Sequence, residues 1–132
     1  MDNFTLGQEF KAQYSVSHEV YYGFLGVFKD HNPMHTDADY AVNYGFDNVV
    51  MHGNILNGFL SHFIGEMLPI KNVIITSQQI KFRNPIYLND SIELLVSTVD
   101  IHETFNLITF KYQFINVEKT VCATGSIQIQ IQ

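Results

Sequence analysis

The chain has 132 residues, enough for one domain with its own core and too few for a second. Hydrophobic residues make up 46% and charged residues 15%, which excludes a disordered chain. The 13 acidic and 7 basic side chains give a net charge of −6, which excludes a general nucleic-acid binder with a basic face but leaves room for an anionic small ligand.

Residues 9–15 read as a first strand. Ser17 is placed to cap a helix from His18 to Phe28, with Glu19 in its first turn and Tyr21, Phe24, Leu25 and Phe28 on one face. After Pro33, which should keep its segment from being regular helix, residues 37–42 read as a short helix ending at Gly45. The segment from His52 to Leu68 carries Ile55, Leu56, Phe59, Leu60, Phe63, Ile64, Met67 and Leu68 as adjacent apolar pairs every four residues. This is a broad helical stripe that needs a large partner surface, and Pro69 stops it. The period then changes. Val73–Phe82, Ser91–Val99, Phe105–Val117 and Val121–Ile131 are rich in β-branched and aromatic residues, with clear alternation in Ile127-Gln128-Ile129-Gln130-Ile131. Turns are expected at Asn84-Pro85, Asn89-Asp90 and Glu118-Lys119. Strands that follow one another without intervening helices pair antiparallel. The predicted fold is therefore α+β: a single domain over 1–132 with a curved antiparallel sheet wrapped around one long apolar helix.

Location follows from the same features. Cys122 has no partner for an internal disulfide, and its place in a strand suggests core packing in a reducing compartment. Met1-Asp2-Asn3-Phe4 shows neither the basic nor the apolar region of a secretory signal. The apolar stretch from Ile55 to Ile75 is interrupted by His62, Glu66, Pro69 and Lys71, so no membrane span is expected and the cytoplasm is the expected location.

Chemistry concentrates in Asp30-His31-Asn32-Pro33-Met34-His35 and in Met51-His52-Gly53. A carboxylate and an imidazole five residues apart, on a loop stiffened by Pro33, can divide the roles of base and acid. Asp and Asn after a helix are also ordinary turn formers, so the spacing alone leaves both readings open. His52-Gly53 opens the apolar helix, where the first N–H groups lack internal partners and the helix dipole is positive. Gly53 would let a ligand approach the backbone, or would merely permit a tight turn. Ser61 lies about two turns further along the helix and could donate into the site or bond to its own backbone. His62 and Glu66 stand one turn apart, too few for a metal site, and read as a polar edge or subunit contact. No partner is evident for His18, His31 or His102.

In order, Asp30-His31-Asn32-Pro33-Met34-His35, Asp37, Tyr40-Ala41, Phe46, Val50, His52-Gly53, Leu60-Ser61, Ser77-Gln78-Gln79-Ile80-Lys81-Phe82, Pro85 and Asn89-Asp90 resemble the MaoC-like, (R)-specific enoyl-CoA hydratases, over roughly Phe10 to Val99. The resemblance implies the hot-dog fold and a hydro-lyase that interconverts trans-2-enoyl and (R)-3-hydroxyacyl thioesters of coenzyme A or acyl-carrier protein. It implies that Asp30 and His35 bind and activate the water, that the Gly53 N–H holds the thioester carbonyl, and that Ser61, with Asn32 and His52, supports the site. It implies no metal and no cofactor beyond the carrier within the substrate. A homodimer or dimer of dimers is expected, with coenzyme phosphates near Lys81 or Arg83, and neither nucleic acid nor membrane as partner. Many relatives carry Ser-Gly before the catalytic Asp where this chain has Phe28-Lys29. Asn54 and Asn57 replace residues that are usually small or apolar, which bears on the substrate more than on the fold. A hot-dog thioesterase and a non-catalytic acyl-thioester-binding module are the competing readings.

Overall fold

The computed structural model describes residues 1–132. Ser17 separates strand β1 (Glu9–Ser15) from helix α1 (His18–Phe28), and its side-chain oxygen accepts from the Val20 N–H at 3.1 Å, as an N-cap does. Two short helices follow, α2 (Pro33–Thr36) and α3 (Ala38–Asn43). Pro33 therefore starts a helical turn where the sequence suggested irregular chain. It sits at the first helical position, where its missing N–H and fixed φ cost nothing, and Asn32 caps the turn. The central helix α4 (Asn54–His62) widens at its end into a π-helical turn over Phe63–Met67, so the α-helix proper is shorter than the predicted span. Leu68 is already extended, because the following Pro69 disfavours helical backbone before it.

Strands β2 (Val73–Phe82), β3 (Ser91–His102), β4 (Leu107–Asn116) and β5 (Val121–Ile131) complete a five-stranded sheet in the order β1-β3-β4-β5-β2, every neighbouring pair antiparallel. β3 runs three residues beyond the predicted Val99, and β4 starts two residues after the predicted Phe105. Asn106, at φ 56°, makes the turn between them in the left-handed region that asparagine tolerates. Register breaks between Ile75 and Ser77, Thr98 and Asp100, and Phe114 and Ile115 add twist, and the sheet curls.

Alternation decides which face is inside. Ile92, Leu94 and Val96 of β3, Ile108, Phe110, Tyr112 and Phe114 of β4, and Ile127 and Ile129 of β5 are buried against Ile55, Leu56, Phe59, Leu60, Phe63 and Ile64 of α4 and its π turn. The helix thus fills the concave side of the sheet, the architecture expected from the change of hydrophobic period. Cys122 is a buried core thiol, and burial raises its pKa. The edge strand β2 differs from the others: Ile74, Ile75 and Phe82 are 50, 43 and 53% exposed. No helix is long and apolar enough to cross a membrane.

Candidate active site

The segment between α1 and α4 is held by a short series of bonds. The Lys29 N–H donates to Leu25 O at 2.9 Å and closes α1 with left-handed backbone, φ 58°, which turns the chain toward Asp30. The Asn32 N–H donates to Asp30 Oδ1 at 3.2 Å, and Asn32 Oδ1 accepts from the Met34 N–H at 2.9 Å. Tyr21 donates its hydroxyl to His35 O at 2.6 Å, tying α1 to α2; burial and the neighbouring Tyr22 raise the phenol pKa and keep it a donor. The Val50 N–H donates to Met34 O at 2.9 Å, and the Met51 N–H to Ile86 O at 2.9 Å. Two helices and the β2–β3 connection thereby fix the loop that carries the acid and the imidazole.

Those bonds also decide which atoms remain available. His35 Nδ1 lies 2.6 Å from Val50 O, and a carbonyl can only accept, so Nδ1 carries the hydrogen and the neutral ring keeps a lone pair on Nε2. Asp30 Oδ1 is occupied by the Asn32 N–H, and Oδ2 stands 3.7 Å from His35 Nε2. That separation exceeds a direct hydrogen bond and suits two acceptors that share one water. The Asp30 side chain is 53% exposed and that of His35 19%, so the pair opens to the surface.

His52 is buried beneath them. Its Nε2–H donates to Asp30 O at 2.8 Å, and its ring lies 4.0 Å from the His35 ring, centroid to centroid, and 4.7 Å from Phe24. Its Nδ1 is buried without a partner. Next to it the helix begins. The Ile55 and Leu56 N–H groups donate to His52 O and Gly53 O, while the N–H groups of Gly53 and Asn54 have no acceptor in the chain. Gly53 has ordinary right-handed backbone, so no turn requires a glycine there. Space does: a Cβ on Gly53 would stand 2.9 Å from Cε1 of Phe82. Asp30, His35, His52 and Gly53 together line a cleft of about 480 Å³, with Phe82, Arg83 and Ile86 also in its lining.

Of the residues singled out from sequence, these four converge, and Asn54 and Arg83 line the same cleft. The Asn32 side chain caps α2 and acts on the site only by shaping the Asp30 loop. Ser61 is exposed on α4 and outside the lining of the cleft. His62 accepts from or donates to the Tyr14 hydroxyl at 3.0 Å, and Glu66 pairs with Lys71 at 3.9 Å, the polar edge expected for them. His18 stacks on Tyr22, and His102 Nδ1 accepts from the Phe105 N–H at 3.4 Å. Phe24 and Ile86 line the cleft without having been singled out, beside Phe46 and Phe82 of the resemblance, since a lining aromatic and a core aromatic look alike in one dimension. Donor atoms of Asp30, His35 and His52 lie within 4.8 Å of one another, close enough to hold a divalent ion.

A sheet curled around a helix, with an acid–imidazole pair in the same cleft as the unpaired N–H groups at that helix's start, defines a hot-dog protein. The comparisons narrow the class. The family model for the MaoC like domain matches residues 3–120, and the chain belongs to that family. It is 30% identical over 105 residues to the (R)-specific enoyl-CoA hydratase of Rhodospirillum rubrum, covering 80% of this chain and 73% of that protein. It is 30% identical over 105 residues to the mitochondrial 3-hydroxyacyl-[acyl-carrier-protein] dehydratase of Arabidopsis thaliana, covering 80% of this chain and 55% of that protein. Among solved structures, the (R)-hydratase from A. caviae involved in PHA biosynthesis superposes with a TM-score of 0.89 at 22% identity, over 98% of each chain.

Proposed function

We propose that this chain is a hydro-lyase interconverting trans-2-enoyl thioesters and (R)-3-hydroxyacyl thioesters of coenzyme A or acyl-carrier protein. The observation that carries this reading is the pair Asp30 Oδ2 and His35 Nε2, both left as acceptors by fixed bonds, beside the unpaired N–H groups of Gly53 and Asn54.

A thioester oxygen against the Gly53 N–H, at the positive end of α4, draws electrons from the conjugated double bond and makes C3 electrophilic. A water that donates one hydrogen to Asp30 Oδ2 and the other to His35 Nε2 turns its oxygen lone pair toward C3. As the C3–O bond forms, a proton passes from water to the pair, the C2–C3 π electrons move toward C2, and charge builds on the thioester oxygen. The pair then returns a proton to C2, so no net proton is consumed. Dehydration is the reverse. His52 holds the Asp30 carbonyl and Tyr21 the His35 carbonyl, which keeps the two acceptors at their spacing.

Arg83 on the cleft wall, with Lys81 on the same strand end, supplies positive charge for the carrier's phosphates in an acidic protein. The exposed apolar edge of β2 supports a homodimer in which a second copy covers Ile74 and Ile75.

The test is loss of enoyl-thioester absorbance when the protein meets crotonyl-CoA. Asp30→Asn and His35→Ala should each lower kcat by about 10²-fold or more while circular dichroism stays unchanged. Release of free thiol with the double bond intact would replace hydration by thioester hydrolysis.

A further inference from the structure

A second, open depression of about 560 Å³ shares Phe24, Asp30 and Asn54 with the first cleft and is also lined by Phe28, Asn57 and Gly58. Two carboxamides in a space next to the reacting carbons are unexpected for a site that takes a plain alkyl chain. Their hydrogen bonds form a chain with one possible direction. It starts at a backbone carbonyl: the Tyr112 hydroxyl donates to Gln79 O at 3.3 Å. Gln78 Nε2 donates to Tyr112 Oη at 3.3 Å and also to Asn57 Oδ1. Asn57 Nδ2 donates to Asn54 Oδ1 at 2.8 Å. A carbonyl can only accept, so the direction at Gln79 sets every amide orientation after it. The last group, Asn54 Nδ2, is left with its N–H donors and no acceptor in the chain.

The anchor of this series is rigid. Tyr112 is 4% exposed, and Gly125 leaves room for its hydroxyl, since a Cβ there would stand 2.5 Å from Tyr112 Oη. Burial raises the Tyr112 pKa and the Gln78 bond lowers it, as a donor to a phenol oxygen should.

We propose that Asn54, oriented through Asn57 and Gln78, selects an acyl group that carries a hydrogen-bond acceptor beyond the reacting carbons, a ketone, hydroxyl or carboxylate oxygen, over an alkyl chain of the same length. The proposal rests on the hydratase reading above. Phe24 and Phe28 supply the apolar wall for the intervening methylenes, and Gly58 leaves the floor open. An alkyl chain in the same space strips water from Asn54 Nδ2 and returns no bond, so discrimination follows from desolvation as well as from the new contact.

The experiment compares kcat/KM for 6-oxohept-2-enoyl-CoA, whose extra oxygen only accepts, with hept-2-enoyl-CoA, and includes crotonyl-CoA. Wild type should favour the keto substrate by about 5–20-fold. Asn54→Leu should bring that ratio to one or below. Asn54→Asp, which puts an acceptor where the donors were, should lower it further, and Gln78→Leu, which frees Asn57 to turn, should lower it in part. Because the readout is a ratio within each variant, a general loss of activity does not disturb it. A wild type that hydrates crotonyl-CoA but treats the keto and alkyl chains alike overturns this proposal alone. One that hydrates none of the three overturns the hydratase reading and this proposal with it.

Discussion

Gly53→Ala separates folding from catalysis at a single atom. The added Cβ would lie 2.9 Å from Cε1 and 3.1 Å from Cδ1 of Phe82. Carbon–carbon contact becomes comfortable near about 3.5 Å, so the ring must retreat by roughly 0.5 Å. Phe82 ends an edge strand and is half exposed, so it can swing outward. Its retreat, with the loss of a favoured glycine at the N-cap, costs about 1 kcal/mol. In a domain of this size that lowers Tm by about 3–5 °C, readable by differential scanning fluorimetry. Activity should respond far more. Gly53 and Phe82 pack against each other in the lining of the cleft, so the methyl and the displaced ring crowd the space a thioester oxygen needs to come within about 3 Å of the Gly53 N–H. Losing that donor should reduce kcat/KM on crotonyl-CoA by about 10²–10³-fold. A folded Gly53→Ala protein that keeps kcat/KM within about threefold of wild type would refute the placement of the carbonyl at this helix start.

Three further outcomes follow from particular residues. Lys29 holds φ 58° directly before Asp30, so Lys29→Gly should relieve strain and raise stability by up to about 1 kcal/mol in urea denaturation; a clear loss would mean that the lysine side chain is needed there. Burial raises the pKa of Cys122 above its ordinary 9.0 and of Tyr14, Tyr21 and Tyr112 above 10.0. The native state therefore keeps these protons to higher pH than the unfolded chain, so their contribution is complete below the ordinary values and is lost as pH rises. The urea midpoint should fall from about pH 9 upward, and a flat profile through about pH 11 would contradict it. Hydration should survive dialysis against EDTA, because the proposed steps use only protein groups. Loss of activity restored by Zn²⁺ would instead make Asp30, His35 and His52 metal ligands.

Much of this protein is legible along the chain because it is local. Ser17 and Pro69 bound helices through hydrogen bonding and φ that depend on neighbours alone, and both act as expected. The paired apolar residues from Ile55 to Ile64 and the alternation around Ile127 and Ile129 announce a helix inside a sheet, because burying one face imposes its period on the sequence. The Asp30–His35 spacing by itself leaves a turn and a site both open; what distinguishes the pair is that the fold brings it into one cleft with His52 and Gly53. Other features belong to the tertiary structure. Which nitrogen of His35 is free depends on Val50 O, fifteen residues away. The exclusion of a side chain at Gly53 depends on Phe82, at the far end of β2. The direction of the Asn54 amide depends on Gln79 O, reached through Tyr112 and Gln78. Sequence fixes periods and caps, which are short-range sterics and burial. Proton positions and the shape of the cleft arise where separate elements meet, and only the packed sheet and helix decide them.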